Sequence, residues 1–405
     1  MLELRPILSA LWRNKIAALL IALQLALTLA IVSNASVIVG ERSEKIARPT
    51  GMAVEDIITV FFQPVSQNYD MPAAVSADLE LLRNIPGVLQ ATHSNHFPLS
   101  GSGSASQYYN KPNQETGGEA ANYYQTNPDF IEALGLKLAE GRNFEVSEMQ
   151  IASINENRDS NVVIITKQFA ETLYPGESAV GKYLYGDRSS HPIEIIGVVE
   201  RHLGAWVSWS RAGNAVFFPE LFLAEGNLFM RYLIRTEPGQ RDAVLKQIEA
   251  KLSERDPQRV IEVETLEEEK NQSYARDNTM IKVLAAVMAL LTFIIALGIV
   301  GLTSFWINQR RKQIGVRRAL GATRAAIGRY FLLENCMIAG TGIALGMAAA
   351  QIANGVMVES FKQPALPMSV MLTCALILLG VSLAAALVPA LRAANTSPAM
   401  ATRNV

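Results

Sequence analysis

The chain has 405 residues, of which 50% are hydrophobic, and its formal net charge at pH 7 is -1. A soluble chain of this length would form two or three domains. Here the hydrophobic residues gather in four stretches without charge, which excludes an ordinary soluble protein. The two cysteines, Cys336 and Cys374, both lie in such stretches. They are interpreted as small buried hydrophobic residues and not as a disulfide framework.

Four intervals without a charged residue predict four membrane-spanning helices. They lie between Lys15 and Glu41, Lys282 and Arg310, Glu334 and Glu359, and Lys362 and Arg392. A helix needs about 20 apolar residues to cross the hydrocarbon core, so we predict spans at residues 16–39, 283–309, 335–358 and 368–391. The first stretch is too long for the apolar region of a signal peptide, which has about 7–15 residues. We therefore interpret it as a retained helix.

The distribution of Lys and Arg predicts the orientation of these spans, because cytoplasmic loops are enriched in both residues. Basic residues precede the first span, fill the loop after the second and follow the fourth: Arg5, Arg13, Lys15, Arg310, Arg311, Lys312, Arg317, Arg318, Arg324, Arg329, Arg392 and Arg403. We therefore expect residues 1–15, 310–334 and 392–405 in the cytoplasm and residues 40–278 outside it. Arg42, Lys45 and Arg48 weakly oppose this orientation, although long translocated domains largely escape the rule.

The outer segment has the pattern of two β-α-β units. Strands are predicted at residues 57–62 and 88–93 around a helix that Pro72 opens, and at 228–235 and 260–263 around a helix at 240–253. Two such units pair as a split ferredoxin-like sheet. The predicted fold class is therefore an α-helical membrane protein with four transmembrane helices and an α+β extracytoplasmic domain. Its ferredoxin-like part carries an inserted mixed α/β part at about residues 98–225.

The insertion and the return to the membrane have further predicted elements. Strands are expected at residues 162–166 and 194–200, a helix at 167–173, a polar loop at 155–161 and a helical stalk at 274–281.

The predicted spans are rich in small residues, which allow close packing of helices in lipid. Gly342 and Gly346 lie four residues apart in the third span. We favour packing within the chain for this pair over a seam between two copies. None of the spans contains Asp, Glu, Lys, Arg or His, and such residues usually mark ion or proton paths. Their absence argues against a proton-coupled carrier.

Two patterns could indicate chemistry, and both are interpreted as structural. Residues 176–182 match the first seven positions of a phosphate-binding loop, but Tyr183 stands where Ser or Thr would hold magnesium, and a helix is predicted before the motif. We expect Lys182 to be structural. His93 and His96 would point to opposite faces of a strand, without a third ligand nearby, so isolated surface histidines are expected. No catalytic residue, metal or cofactor is predicted.

Aromatic residues of the outer segment leave two interpretations open. Tyr108, Tyr109, Tyr123 and Tyr124, with Trp206 and Trp209, could form a contact surface or belong to the core.

The cytoplasmic residues 309–323 alternate basic, apolar and small side chains. A positive-inside anchor against anionic lipid is one interpretation. Such an anchor needs only scattered charges, so the alternation favours a compact surface for a protein partner.

This segment resembles the hallmark of the MacB/FtsX-type ABC transporter permeases, a Glu-Ile-Gly-hydrophobic-Arg-basic-Ala-Leu-Gly-Ala run. Residues 314–322 match it, while Gln313 stands where Glu is usual. Residues 127–144, 162–182, 195–199 and 389–399 also resemble segments of that family. The usual Ala-Leu-Arg ending is Ala399-Met-Ala401 here, which puts a role of the tail in doubt.

The resemblance implies a permease of the bacterial inner membrane, with both termini cytoplasmic and a large periplasmic domain, that works with a separate ABC ATPase dimer. ATP would bind that partner, and its motion would be relayed to the periplasmic domain, a mechanotransmission that would serve efflux or export. The implied coupling residues are Ile314, Gly315, Val316, Arg317, Arg318, Leu320, Gly321 and Ala322. We expect Ile314, Val316 and Leu320 to insert into the ATPase as anchors. Gly315 and Gly321 are expected to allow tight turns or close backbone approach at the ends of a short helix.

Other partners follow from the same resemblance. A second permease copy or a paralogue, membrane lipid and a periplasmic adaptor are expected, and nucleic acid is not. Two alternatives remain open, a non-transporting relay like FtsX that activates a periplasmic partner, and a lipoprotein-releasing permease.

Overall fold

The computed structural model describes residues 15–66, 69–153, 160–186, 189–223 and 229–395. The chain divides into two compact units, an outer unit of Arg48–Arg276 and a membrane unit formed by the chain before and after it. Several predictions concern residues outside the described ranges. They are the N-terminal basic residues Arg5 and Arg13, most of the polar loop 155–161, the tail at 399–401 and Arg403.

The outer unit contains twelve strands within the described ranges, joined in one sheet. The strands are β1 Ile57–Pro64, β2 Val88–Ser94, β3 Ala105–Tyr109, β4 Glu119–Thr126, β5 Leu138–Gly141, β6 Gln150–Ser153, β7 Val162–Thr166, β8 Tyr183–Gly186, β9 Ile193–Val199, β10 Ala215–Leu223, β11 Met230–Thr236 and β12 Arg259–Thr265. The helices outside the membrane unit are α2 Met71–Arg83, α3 Phe130–Leu134, α4 Lys167–Leu173, α5 Arg241–Arg255 and α6 Leu266–Ser273.

The split ferredoxin-like part is confirmed by the order β12-β1-β11-β2. β1 pairs antiparallel with β11 and β12, so that Val60 lies opposite both Tyr232 and Val263. The two β-α-β units therefore interleave. Pro72 lies in the first turn of α2 as predicted, where its missing N–H removes no helical hydrogen bond.

The core of this part lies between the sheet and the two helices. Val75 and Leu79 of α2 and Ile248 of α5 are buried in one cluster with side chains of β1 and β11. Fully buried Asp78 accepts hydrogen bonds from Arg259 at 2.6 and 3.1 Å. Because an unpaired buried charge is costly, this pair requires both partners.

The inserted part comprises β3 to β10 and joins the ferredoxin-like part in the same sheet. Among the described residues, β2 meets β4 at the register pair of Ser94 and Thr126. β7 runs parallel to β9, and β10 runs parallel to β4. The apolar face of α4, with Phe169 and Leu173, packs with these strands in a second core. This mixed pairing confirms the predicted α/β character of the insertion.

The membrane unit is helical. Its helices are α1 Lys15–Ala47, α7 Ala275–Gln309, α8 Arg311–Ala319, α9 Arg324–Phe361 and α10 Met368–Ala394. Within the described part of the chain, α1, α7, α9 and α10 are long and apolar enough to cross a membrane. Each of the four contains a predicted span and extends beyond it, because turns with charged residues continue the helix.

Gly342 and Gly346 pack within the membrane unit, which confirms the favoured interpretation. A Cβ at Gly346 would lie 2.9 Å from Cα and O of Ala26, and one at Gly342 would lie 2.7 Å from O of Ala22. The absence of side chains thus allows α9 to approach the backbone of α1. Asn354 of α9 also donates to Asn34 of α1 at 3.1 Å, which satisfies polar groups inside the helix bundle.

Candidate coupling site

The predicted coupling residues form the short helix α8 and the turn after it. Arg310 separates α8 from α7, and Gly321, with a φ of +97°, starts the turn into α9. Glycine adopts this left-handed conformation without the steric cost of a Cβ. Thr323 then caps α9 by accepting a hydrogen bond from Ala326 N at 3.2 Å. The expected turn at Gly321 is therefore present.

The inner face of α8 packs against the membrane unit itself. The side chain of Ile314 is only 5% exposed and contacts a cluster that includes Ile307 of α7, Phe331 of α9 and Ala393 of α10. The expectation that Ile314 inserts into a partner is thus wrong for this structure, because its side chain is already buried. Gly315 lies buried inside α8 and not at one of its ends, so no turn forms there.

The outer face of α8 carries the exposed apolar residues. Val316 is 52% exposed and Leu320 is 83% exposed. Arg317 places its guanidinium carbon 5.3 Å from the ring centroid of Tyr330 in α9, a cation–π distance. Arg318 Nη1 donates to the backbone O of Ala322 at 3.4 Å. The surface therefore consists of two apolar side chains beside two arginines that are held by their own chain.

Sequence reasoning missed an ion pair at the start of this site. Arg310 Nη1 lies 3.1 and 3.2 Å from the two carboxylate oxygens of Glu334, which is buried in α9. From the sequence, Arg310 was interpreted only as one of the cytoplasmic basic residues, and Glu334 only as the charged residue before the third span. A spacing of 24 residues gives no periodic signal, so the pair could not be found from the pattern.

Two of the basic residues that oppose the predicted orientation form ion pairs between the C-terminal end of α1 and the N-terminal end of α7. Buried Asp277 of α7 pairs with Arg42 of α1 and, at 3.1 Å, with Lys45. Both cations thus have a structural partner within the membrane unit. Arg48, the third of these residues, donates to the backbone O of Val207 within the outer unit.

The segment that resembles a phosphate-binding loop is a turn before β8. Gly176 and Gly181 have φ values of +75° and +80°, and strand β8 follows directly in place of a helix. The Lys182 ammonium pairs with Glu177 and lies 4.5 Å from the centroid of the Tyr174 ring. These contacts support the structural interpretation of Lys182.

The two histidines are not the surface residues that were expected. His93 is buried, with Nε2 at 3.2 Å from the backbone O of Glu220, and burial lowers its pKa to about 4. Half-buried His96 places Nε2 2.7 Å from Ser104 Oγ, and burial also lowers its pKa to about 4. In the described ranges, no group of three or more His, Cys, Asp or Glu side chains could hold a metal ion.

Three of the four tyrosines confirm the core interpretation, and the two tryptophans lie nearer the surface. Tyr108, Tyr109 and Tyr124 are buried in the core. Trp206 and Trp209 are half-buried and meet edge to face, with ring centroids 5.9 Å apart. Trp206 lines an open cavity of about 390 Å³ in the outer unit together with serine, glycine, valine and glutamine side chains.

Comparison with known proteins identifies both units. Residues 16–251 match the family described as MacB-like periplasmic core domain, and residues 285–398 match the family described as FtsX-like permease C-terminal. The first match alone covers more than half of the chain.

Individual relatives are distant. The macrolide export ATP-binding/permease protein MacB of Chromobacterium violaceum is 26% identical over 231 residues, which are 54% of this chain and 33% of that protein. The pyoverdine export ATP-binding/permease protein PvdT of Pseudomonas aeruginosa is 24% identical over 290 residues, 68% of this chain and 41% of that protein. The chain thus spans about a third to two fifths of the length of these relatives.

Among solved structures, the periplasmic region of MacB from Actinobacillus actinomycetemcomitans aligns with a TM-score of 0.35 and 14% identity. The alignment covers 55% of this chain and 94% of that region. Together with the helices of the membrane unit, the two family matches identify the chain as a membrane protein of the MacB/FtsX-type ABC transporter permease family, with a MacB-like periplasmic domain.

Proposed function

We propose that the chain is the permease subunit of an export system and relays ATP-driven motion of a partner ABC ATPase across the inner membrane to its periplasmic domain. One observation carries the proposal. Leu320 is 83% exposed at the tip of a helix whose other face is fixed in the membrane unit. An exposed apolar side chain among arginines suits a protein partner better than water, because the burial of apolar surface at an interface is favourable.

The partner supplies the nucleotide chemistry. In the described residues, the segment that most resembles a nucleotide site has the geometry of a turn, and its lysine is paired with Glu177. We therefore propose that ATP binds the partner ATPase. The names of the two relatives combine ATP binding with a permease, which supports an ATPase as the driving partner. A dimer of permeases would engage a dimer of ATPases.

The names of the relatives favour export as the direction of transport. The two relatives named above carry macrolide export and pyoverdine export in their names. In this proposal the termini and α8 lie in the cytoplasm, and the outer unit acts in the periplasm, alone or with an adaptor. The clustering of arginines around α8 supports this orientation.

The exposed apolar face gives a direct test. Truncation of buried anchors typically costs about 2 kcal/mol or more, whereas charges at a rim cost less. Leu320→Ala should therefore reduce recovery of the ATPase with the purified permease more than Arg318→Ala does. Both variants should insert at wild-type levels, because the membrane helices are unchanged.

The lipid-anchor interpretation predicts the opposite order, since charge would then dominate. ATPase recovery and permease-stimulated ATP turnover at equal permease levels distinguish the two. If Leu320→Ala binds and stimulates like wild type while loss of the arginines abolishes both, the docking surface proposed here is wrong.

A further inference from the structure

The corner between α7 and α8 consists of one residue, Arg310. Its backbone N–H donates to Trp306 O at 3.1 Å, and its carbonyl accepts from Ile314 N at 3.0 Å. Arg310 is therefore joined by helical hydrogen bonds to both α7 and α8. At the corner itself, the guanidinium is bound to both carboxylate oxygens of Glu334, whose side chain is 3% exposed.

The burial of Glu334 makes this contact more than a surface ion pair. A carboxylate withdrawn from water requires a charged or hydrogen-bonded partner, and loss of one partner of such a pair is strongly unfavourable. The pair therefore favours one position of the corner on α9. A hydrophobic contact of the same area would allow the corner to slide, because such contacts are not directional.

The pair also stands at the start of a line of polar contacts across the bundle. Asn335, the next residue of α9, donates to the backbone O and to Oγ of Ser382 in α10, at 3.2 and 3.0 Å. The corner of α7 and α8 is thus linked through α9 to α10. Ile314 adds an apolar contact between α8 and the same helices.

We infer that Arg310 and Glu334 are positioning residues that convert a displacement of α8 into a displacement of α7 and α9. The inference rests on the function proposed above. The outer face of α8 binds the ATPase, while the ion pair keeps the corner from bending when α8 is pushed. Because α7 begins at Ala275, next to the end of the outer unit, its displacement reaches the periplasmic domain. Binding of the ATPase and transmission of its motion therefore depend on different residues.

Glu334→Gln and the exchanged pair Arg310→Glu/Glu334→Arg test this division. Arg311→Gln is the matched control, since Arg311 is the adjacent arginine and is exposed. Spin labels at Ser102, in a background without the native cysteines, report the distance between the outer units of two permeases with and without ATP. ATPase recovery and ATP turnover are measured on the same complexes, at a temperature at which each variant is folded.

Glu334→Gln should retain ATPase recovery within about twofold of wild type, while the ATP-dependent change in label distance falls about fivefold or more. The exchanged pair should regain a large part of this change, and Arg311→Gln should behave like wild type. A full distance change in Glu334→Gln would overturn the inference. So would an exchanged pair that restores the melting temperature but not the distance change. If wild type shows no ATP-dependent change, the proposed relay itself fails, and with it this inference.

Discussion

Replacement of Ile314 by Ala should destabilise the membrane unit, whereas replacement of Leu320 by Ala should not. Ile314 is 5% exposed and packs in a cluster of five other buried side chains, among them Phe331. Truncation of such a buried side chain typically costs about 2–5 kcal/mol. Leu320 is 83% exposed, so its truncation should change stability by about 0.5 kcal/mol or less. For a unit of this size, the melting temperature should fall by about 4 °C or more for Ile314→Ala and by less than about 2 °C for Leu320→Ala.

The native cysteines provide the assay. Cys374 is buried in α10 and Cys336 is half-buried in α9, so a dye that fluoresces on reaction with thiols reports unfolding of the membrane unit in detergent. The two variants are heated side by side with wild type. Equal melting temperatures for Ile314→Ala and wild type, or a larger loss for Leu320→Ala, would refute the assignment of inner and outer faces on α8.

Three further predictions concern packing, pH and nucleotide. Gly346→Ala should lower the melting temperature in the same assay, because its Cβ would meet the backbone of α1. Gly355 has open space around it, so Gly355→Ala should be neutral or slightly stabilising. Equal effects of the two substitutions would contradict the close approach of α1 and α9. Burial and the charge of Glu264 raise the pKa of Glu269 from 4.5 to about 7. The stability of wild type relative to Glu269→Gln, measured as the difference in unfolding free energy, should therefore fall as pH rises from 4.5 to 7 and level off above pH 7. Denaturant titrations that show no such trend would exclude the shift. The purified chain alone should hydrolyse no ATP above background, and turnover that disappears in Lys182→Ala would show that Lys182 is not merely structural.

The ferredoxin-like fold could be predicted because each of its elements has a local signal. The apolar positions Val75, Leu79 and Leu82 repeat at helical spacing, and the flanking strands have turn residues at their ends. The antiparallel interleaving of two β-α-β units then follows from the topology of that motif. The joining of the insertion to the same sheet was not predictable, because pairing between Ser94 and Thr126 depends on residues without a shared sequence pattern.

The short helix α8, which we propose as the coupling site, was predictable in position but not in the orientation of its side chains. The family resemblance indicated residues 314–322, and the apolar residues among them looked equivalent in sequence. Their separation into a buried Ile314 and an exposed Leu320 depends on where α9 and α10 pack. The partners of Arg310 and Asp277 were missed for the same reason, since each ion pair depends on how the helices pack and not on a local spacing in the sequence.

Native mass spectrometry of the complex, purified from its own membranes in mild detergent, tests whether this permease works through an ABC ATPase bound at α8. We expect two permeases with two copies of an ABC ATPase for wild type, and a strongly reduced share of permease with bound ATPase for Leu320→Ala. A wild-type permease that supports export without any bound ATPase, or an ATPase that remains fully bound to the Leu320→Ala variant, would contradict it.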